Sequence, residues 1–101
     1  MTAFLLVEAK LTDTKRFAAY VEKVPKIVEK YGGEYLVKGG DMEVLEGDWD
    51  GMKIVIHRWS NKHAAKKFWN STEYREARQI RLGTGEFRVM LLEGFDSERL
   101  E

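Results

Sequence analysis

The chain has 101 residues, of which 44% are hydrophobic and 34% charged, a size and balance typical of one globular domain with one core. Lys+Arg and Asp+Glu both number 17, so the formal net charge is zero, which argues against a general polyanion binder. The sequence contains no cysteine, which excludes disulfides, thiol nucleophiles and thiolate metal sites and suits a reducing cytoplasm.

The first part of the chain predicts a strand followed by a helix. The strand covers Ala3 to Leu11, and its apolar run is too short for a signal-peptide core or a membrane span. Asp13 is a suitable N-cap. Apolar residues then recur at helical spacing at Phe17, Tyr20, Val21, Val24, Ile27, Val28 and Tyr31. Pro25 should bend or interrupt this helix because it lacks a backbone donor, and Gly32 is suited to end it.

The remaining segments alternate between strands and helices. Glu34 to Lys38 is a strand that Met42 to Glu46 could continue, and Lys53 to Trp59 is the next strand. The later predicted elements are a helix capped by Ser60 or Asn61 with Ala64, Ala65, Phe68 and Trp69 inward, a helical segment from Ser71 or Thr72 to Arg81, and a strand over Glu86 to Phe95.

The predicted order is β-α-β-β-α-β, the split βαβ pattern of the ferredoxin-like α+β fold. This topology gives a four-stranded antiparallel sheet with the helices on one face and the first and third strands in the centre. We expect one domain over residues 1–96 and an acidic tail over residues 97–101.

Apolar residues occupy both faces of the predicted sheet. Strand alternation assigns Phe4 and Leu6 to one face of the first strand and Ala3, Leu5 and Val7 to the other. The third strand offers Ile54 and Ile56 to one face and Val55 and Trp59 to the other, and the fourth offers Phe87, Val89 and Leu91 to one and Met90 and Leu92 to the other. Helices can cover only one face, and a large uncovered apolar patch usually marks an interface. We therefore predict a homodimer in which two sheets pack together and close a β-barrel. The alternative is that long strands simply overhang the helices.

Several segments together resemble one protein family. They are Tyr31-Gly32-Gly33, Val37-Lys38-Gly39-Gly40, Leu45-Glu46-Gly47-Asp48-Trp49, Ala64-Ala65, Phe68-Trp69-Asn70-Ser71-Thr72-Glu73-Tyr74 and Glu93-Gly94-Phe95-Asp96. The set resembles the bacterial family called domain of unknown function 1330, in the dimeric α+β barrel superfamily. The resemblance covers nearly the whole chain and implies the dimeric fold. It implies no single reaction, since the superfamily includes cofactor-free monooxygenases, lactone isomerases, haem-degrading enzymes and proteins with no known catalysis.

Three positions depart from the residues usual in that family. Lys38 stands where Arg is usual, His57-Arg58-Trp59 where Glu-Phe-Pro is usual, and Thr72 where Pro is common. The first two changes fall on polar positions that could face a pocket. The resemblance therefore does not carry over any activity that depends on an Arg–Glu pair.

His57 is the candidate catalytic residue. It lies late in a central strand, shares its alternation with Val55 and Trp59, and carries an imidazole that can act as a general acid or base near neutral pH. The alternative is a strand-end histidine that only bonds a neighbour. The spacing of His57 and His63 matches no ligand motif, so we expect no metal site.

Aromatic and cationic residues are the candidate ligand-binding groups. The large aromatic residues Tyr20, Tyr35, Trp59, Trp69 and Tyr74 could line a pocket for a planar organic ligand, or they could fill the core and the interface. Lys38, Arg78 and Arg81 could hold an anion, because an arginine fork suits carboxylate or phosphate and Lys38 adjoins a glycine pair. The alternatives are a solvated helix face for the arginines and a strand bend at the glycines.

Two functions compete on these residues. The first is a cofactor-free enzyme acting on a small organic substrate, anionic or aromatic, in a pocket between sheet and helices. The second is a non-catalytic dimer that binds a small molecule or another protein. RNA-recognition proteins share the element order, but the balanced charge and the position of the aromatics argue against RNA. The haem-degrading relatives use an Asn, Trp and His set, and the first strand here has no Asn. We expect a cytoplasmic protein with no cofactor, no nucleic-acid partner and no membrane association.

Overall fold

A computed structural model of the chain describes residues 1–95. The elements in chain order are β1 (Ala3–Leu11), α1 (Thr14–Lys30), β2 (Glu34–Lys38), β3 (Lys53–Trp59), α2 (Lys62–Trp69), α3 (Thr72–Arg81) and β4 (Gly85–Glu93). The strands pair antiparallel in the order β2-β3-β1-β4. The predicted central position of the first and third strands is confirmed, and the fold is ferredoxin-like α+β. The acidic tail predicted over residues 97–101 lies outside the described residues.

Side-chain caps decide where the helices begin. The Asp13 side chain accepts a hydrogen bond from the Arg16 backbone N at 3.0 Å, as its predicted N-cap role requires. Asn61 rather than Ser60 caps α2, because its Oδ1 accepts from the Ala64 backbone N at 2.8 Å. Ser71 caps α3, since its Oγ accepts from the Tyr74 backbone N at 3.1 Å. Each cap satisfies a backbone donor that the first helical turn leaves unpaired.

Three local expectations differ from the structure. Helix α1 continues through Pro25 to Lys30, because Val24 and Val28 remain buried on either side of it and offset the lost hydrogen bond. Residues 42–46 form no strand, because Gly39 has a φ of +69° and turns the chain away after its N bonds the Ile54 carbonyl. The last strand begins one residue earlier and ends two residues earlier than predicted.

The core lies between the sheet and the three helices. Its fully or nearly buried apolar residues are Leu5, Tyr20, Val24, Val28, Trp59, Ala65, Phe68, Tyr74 and Ala77. Trp59 packs on Phe68 with 4.8 Å between ring centroids. A Cβ on Gly33 would lie 2.6 Å from the Trp59 ring, so the start of β2 can pass this close to the indole only with glycine. Helix α1 packs chiefly on α3, while α2 packs on the sheet.

The sheet face opposite the helices, here called the open face, is apolar at its centre and ionic at its rim. Its apolar residues are Phe4, Leu6, Val37, Ile54, Ile56, Met90 and Leu92. Leu6 lies opposite Ile56 on one side and Met90 on the other, so the pairing register places these three residues on the same face. Ion pairs at the rim join Arg88 to Glu8 and to Asp50, and Arg58 to Glu34. Met90 is 56% exposed, so this apolar surface is uncovered in the single chain.

Candidate functional site

A cavity of about 290 Å³ lies between the sheet and helix α1. It exists because α1 leans on α3 and stands away from the central strands, which present short side chains at this level. The sheet contributes Val7, Ala9 and Val55, and α1 contributes Phe17, Tyr20, Val21 and Val24. At one end of the paired strands, Ala9 lies between Lys53 and Phe87, so the smallest side chain of that row is flanked by a cation and an aromatic ring.

The charged residues that border the cavity are cationic. Lys38, Lys53 and Arg81 line it, and no carboxylate of residues 1–95 does. The Lys38 Nζ lies 4.8 Å from the centroid of the Tyr35 ring. Lys38 and Lys53 are exposed and make no ion pair with any carboxylate in the described part of the chain. The cavity therefore presents uncompensated positive charge beside apolar walls, which favours a negatively charged ligand.

Arg81 is the most buried of these cations. It is 8% exposed, and its guanidinium carbon lies 4.5 Å from the centroid of Phe87 and 5.5 Å from that of Tyr20. The two rings hold the guanidinium by cation–π contact. Its Nη1 is buried and has no hydrogen-bond partner within residues 1–95. A donor left unpaired in this way costs free energy unless an acceptor enters the cavity.

His57 borders the same cavity and is only 3% exposed. In β3 it lies opposite Leu5 and Tyr35, and its ring meets the Tyr35 ring edge-on with 4.7 Å between centroids. Its Nδ1 has no hydrogen-bond partner in the described residues. Burial disfavours the imidazolium and lowers the pKa of His57 to about 4. The imidazole is therefore neutral at pH 7, a weak base, and free to bond a ligand.

Tyr20 and Tyr74 form a buried hydroxyl pair beside the cavity. Their hydroxyl oxygens lie 2.8 Å apart. Tyr20 lines the cavity, whereas Tyr74 lies behind it in the core and is 1% exposed. Burial, and then the neighbouring Tyr74, raise the pKa of Tyr20 far above its ordinary value. Tyr20 therefore stays protonated, and its hydrogen bond with Tyr74 fixes the position of the Tyr20 ring.

The other predicted ligand-binding residues lie away from the cavity. Trp59 is buried among core rings and is 1% exposed. The Arg78 guanidinium carbon lies 4.1 Å from the Trp69 ring centroid, and its Nη2 donates to the Trp69 carbonyl at 3.2 Å. Arg78 thus joins the end of α2 to α3. The structure brings His57, Tyr20, Lys38 and Arg81 together and leaves Trp59, Trp69, Tyr74 and Arg78 in the packing of the helices.

Sequence reasoning overlooked Lys53. It lines the cavity at the start of β3, on the same face as Val55 and His57. The alternation of that strand contained the signal, because a lysine at an inward position of a central strand needs a cavity or a partner. Phe17 and Phe87 were also missed, and their stacked rings, 5.8 Å apart, form the aromatic end of the cavity.

The described residues offer neither a metal site nor a transmembrane helix. No group of three or more His, Asp or Glu side chains in residues 1–95 is arranged to hold a metal ion. Over the same span, no helix combines the length and apolar character needed to cross a bilayer.

The chain belongs to the family described as "Domain of unknown function (DUF1330)", whose model matches residues 2–95. No curated protein matches the sequence. Among solved structures, the fold is similar to a protein of unknown function from Rhodopseudomonas palustris, with 19% identity and a TM-score of 0.76 over 94% of this chain and 83% of that one.

Two further similar structures are described as dimeric. One is a dimeric ferredoxin-like protein of unknown function from Jannaschia sp. CCS1, with 12% identity and a TM-score of 0.73 over 93% of this chain and 100% of that one. The other is a dimeric protein of unknown function with a ferredoxin-like fold from Bacteroides fragilis, with 16% identity and a TM-score of 0.56 over 92% and 96% of the two chains. At these identities the likeness establishes the fold.

Proposed function

We propose that this protein is a homodimer that binds a small organic anion with a flat apolar body in the cavity between the sheet and α1. The observation that carries the proposal is the lining, in which three cationic side chains and no carboxylate of residues 1–95 border otherwise apolar and aromatic walls. A cavity of about 290 Å³ lies just below the range of ligand sites, roughly 300–1,000 Å³, so the ligand is small.

The lining also suggests how such a ligand lies. Exposed Lys38 and Lys53 would hold the anionic group near the cavity mouth. The apolar body would lie over Ala9 and against the Phe87 ring, where the small side chain leaves room. The Nη1 of Arg81, which has no hydrogen-bond partner within residues 1–95, would then find an acceptor on the ligand. This mode stabilises the ligand by apolar burial and by charge-assisted hydrogen bonds together.

A second candidate function is cofactor-free proton-transfer catalysis on the same ligand. It is favoured by His57, which borders the cavity and whose Nδ1 has no hydrogen-bond partner among residues 1–95. The imidazole is a weak base in the empty site because burial lowers its pKa to about 4. A bound anion would stabilise the imidazolium and raise that pKa toward neutrality. Binding and protonation of His57 are therefore coupled in this candidate.

The binding proposal is tested with 2-naphthoate, a fluorescent aromatic carboxylate, and its neutral analogue 2-naphthylmethanol. Fluorescence titration should show tighter binding of the carboxylate. Lys53→Met should weaken carboxylate binding about 10-fold, since a hydrogen bond to a charged group contributes roughly 1.5–3 kcal/mol. Lys66→Met is the matched control because Lys66 is exposed on α2 and does not line the cavity. Equal affinity for the two probes, or equal effects of the two substitutions, would refute an anion site.

The role of His57 is tested by calorimetry of 2-naphthoate binding at pH 6 in buffers of different ionisation enthalpy. The wild type should take up close to one proton on binding, because an anion raises the pKa of the imidazole through that pH. His57→Gln should take up none while it still binds. If the wild type binds without proton uptake, the proton-transfer function is refuted and non-catalytic binding remains as the proposed function.

The dimer part of the proposal rests on the open face and on two similar structures described as dimeric. Ile56 lies at the centre of that face, so Ile56→Asp should convert the dimer into a monomer in light scattering after size-exclusion chromatography. Leu82→Asp is the control, because Leu82 is 60% exposed at the end of α3. A wild-type protein that is monomeric would refute the proposed dimer.

We include a cytoplasmic location in the proposal, because a chain without cysteine suits a reducing compartment.

A further inference from the structure

The segment 40–51, here called the arm, joins β2 to β3 without helix or strand and exposes large apolar side chains. Leu45 is 89% exposed and Trp49 is 59% exposed, and Met42 and Val44 are also exposed. A connection of this length without regular structure is uncommon in a compact domain and is usually functional. Burying these side chains would be favourable, so the arm needs something to cover it.

The apolar surface of the arm is continuous with the open face. A groove of about 590 Å³ runs between the arm and the start of β3. Its lining includes Leu45 and Trp49 on the arm side and Ile54 on the side of the sheet. Asp50 pairs with Arg88 of β4, which ties the base of the arm to the rim of the open face. A partner seated on the open face would therefore meet the arm as well.

The charge of the arm indicates what covers it. Its five ionisable side chains are all carboxylates: Asp41, Glu43, Glu46, Asp48 and Asp50. Acidic and basic residues both number 17 in the whole chain, so the rest of the chain carries a formal charge of +5 against −5 on the arm. Two arms repel each other, whereas each arm attracts the body of another copy. A second copy of this chain thus offers the complementary charge.

The size of the open face also favours an arm that contributes to the contact between two copies. Four strands spaced about 4.8 Å apart, over the seven residues of β3 at about 3.4 Å each, give the open face a projected area of roughly 460 Å². A standard stable interface buries about 800 Å² on each partner. The open face alone supplies about half of that, and an extended arm on each side makes up the difference.

We propose that the arm is an intersubunit clasp: each protomer of the dimer lays its 40–51 segment on the body of the other copy and buries Leu45 and Trp49 there. This inference rests on the dimer part of the proposed function and adds that the sheet faces alone do not hold the two copies together. The acidic arm lies against the cationic body of the partner, and the two arms stay apart.

The first test compares dimer dissociation constants by analytical ultracentrifugation. The double substitution Leu45→Ser with Trp49→Ala should raise the dissociation constant at least about 100-fold, because a symmetric dimer loses each contact twice. Leu82→Ser is the matched control, since it also removes an exposed leucine, and it should leave the constant unchanged. An unchanged constant for the double variant overturns the clasp.

The second test uses the absence of native cysteine to follow the arm by thiol labelling. The thiol of Leu45→Cys should react at least 10-fold more slowly in the dimer than in the Ile56→Asp background, whereas Leu82→Cys should react at the same rate in both. Equal rates for Leu45→Cys in the two backgrounds overturn the clasp and leave a dimer held by the open face. A wild type that is monomeric at all concentrations removes the dimer and the clasp together, and the ligand site is then judged by its own titration.

Discussion

The buried His57 should make the stability of this protein fall between pH 7 and pH 4. Burial lowers the pKa of His57 from 6.5 to about 4 in the folded chain. The unfolded chain therefore binds the proton more tightly, and acid favours unfolding throughout the interval between those two values. At about 1.36 kcal/mol for each pKa unit, the free energy of unfolding should lose about 3 kcal/mol to this residue.

The measurement is urea denaturation followed by circular dichroism at half-unit pH steps and fixed protein concentration. The expected loss is the difference between wild type and His57→Phe, which keeps a flat ring in the core but cannot titrate. Other groups, such as Glu73 with a pKa lowered by Lys30 and Tyr31, contribute equally to both proteins and cancel. His63→Asn is the control, because His63 is exposed on α2, and the stability of this variant should change with pH as that of the wild type does. Parallel stability curves for wild type and His57→Phe would refute a buried neutral imidazole.

Two further predictions concern the packing that positions the site. Gly33→Ala should destabilise the fold by roughly 1–3 kcal/mol, because the new Cβ would lie 2.6 Å from the Trp59 ring; a urea midpoint equal to that of wild type would contradict the close approach. Asn61→Ala should cost about 1 kcal/mol in the same assay, because it removes the acceptor for the Ala64 N–H at the start of α2. Asn61→Ser should restore most of that loss, and a loss that serine does not restore would argue against a capping role.

The course of the backbone was predictable from local signals. The strands over Ala3–Leu11, Glu34–Lys38 and Lys53–Trp59 lie at the predicted residues, because two-residue alternation between glycines and caps defines a strand locally. The same alternation separated the two faces within each strand, whereas the pairing register decided which residues of neighbouring strands share a face of the sheet. The prediction that Pro25 interrupts α1 was wrong, because tertiary burial of the neighbouring residues keeps the helix intact.

The membership of the cavity was not predictable in the same way. His57 and Trp59 share one face of one strand, yet His57 borders the cavity and Trp59 lies under Phe68 of α2. Alternation specifies the face, and only the placement of the helices over that face decides whether a side chain meets a cavity or a neighbour.

The arginines of α3 show the same division. Arg78 and Arg81 lie one turn apart, but Arg78 stacks on Trp69 at the end of α2, whereas Arg81 reaches Phe87 and the cavity. By itself, the sequence determined the first three strands, the Asp13 cap, the apolar character of both faces of the sheet and the negative charge of segment 40–51, because each depends on residues close together in the chain. Only the tertiary structure decided which cations and rings share a cavity, because that depends on the gap left where α1 leans on α3 and away from the sheet.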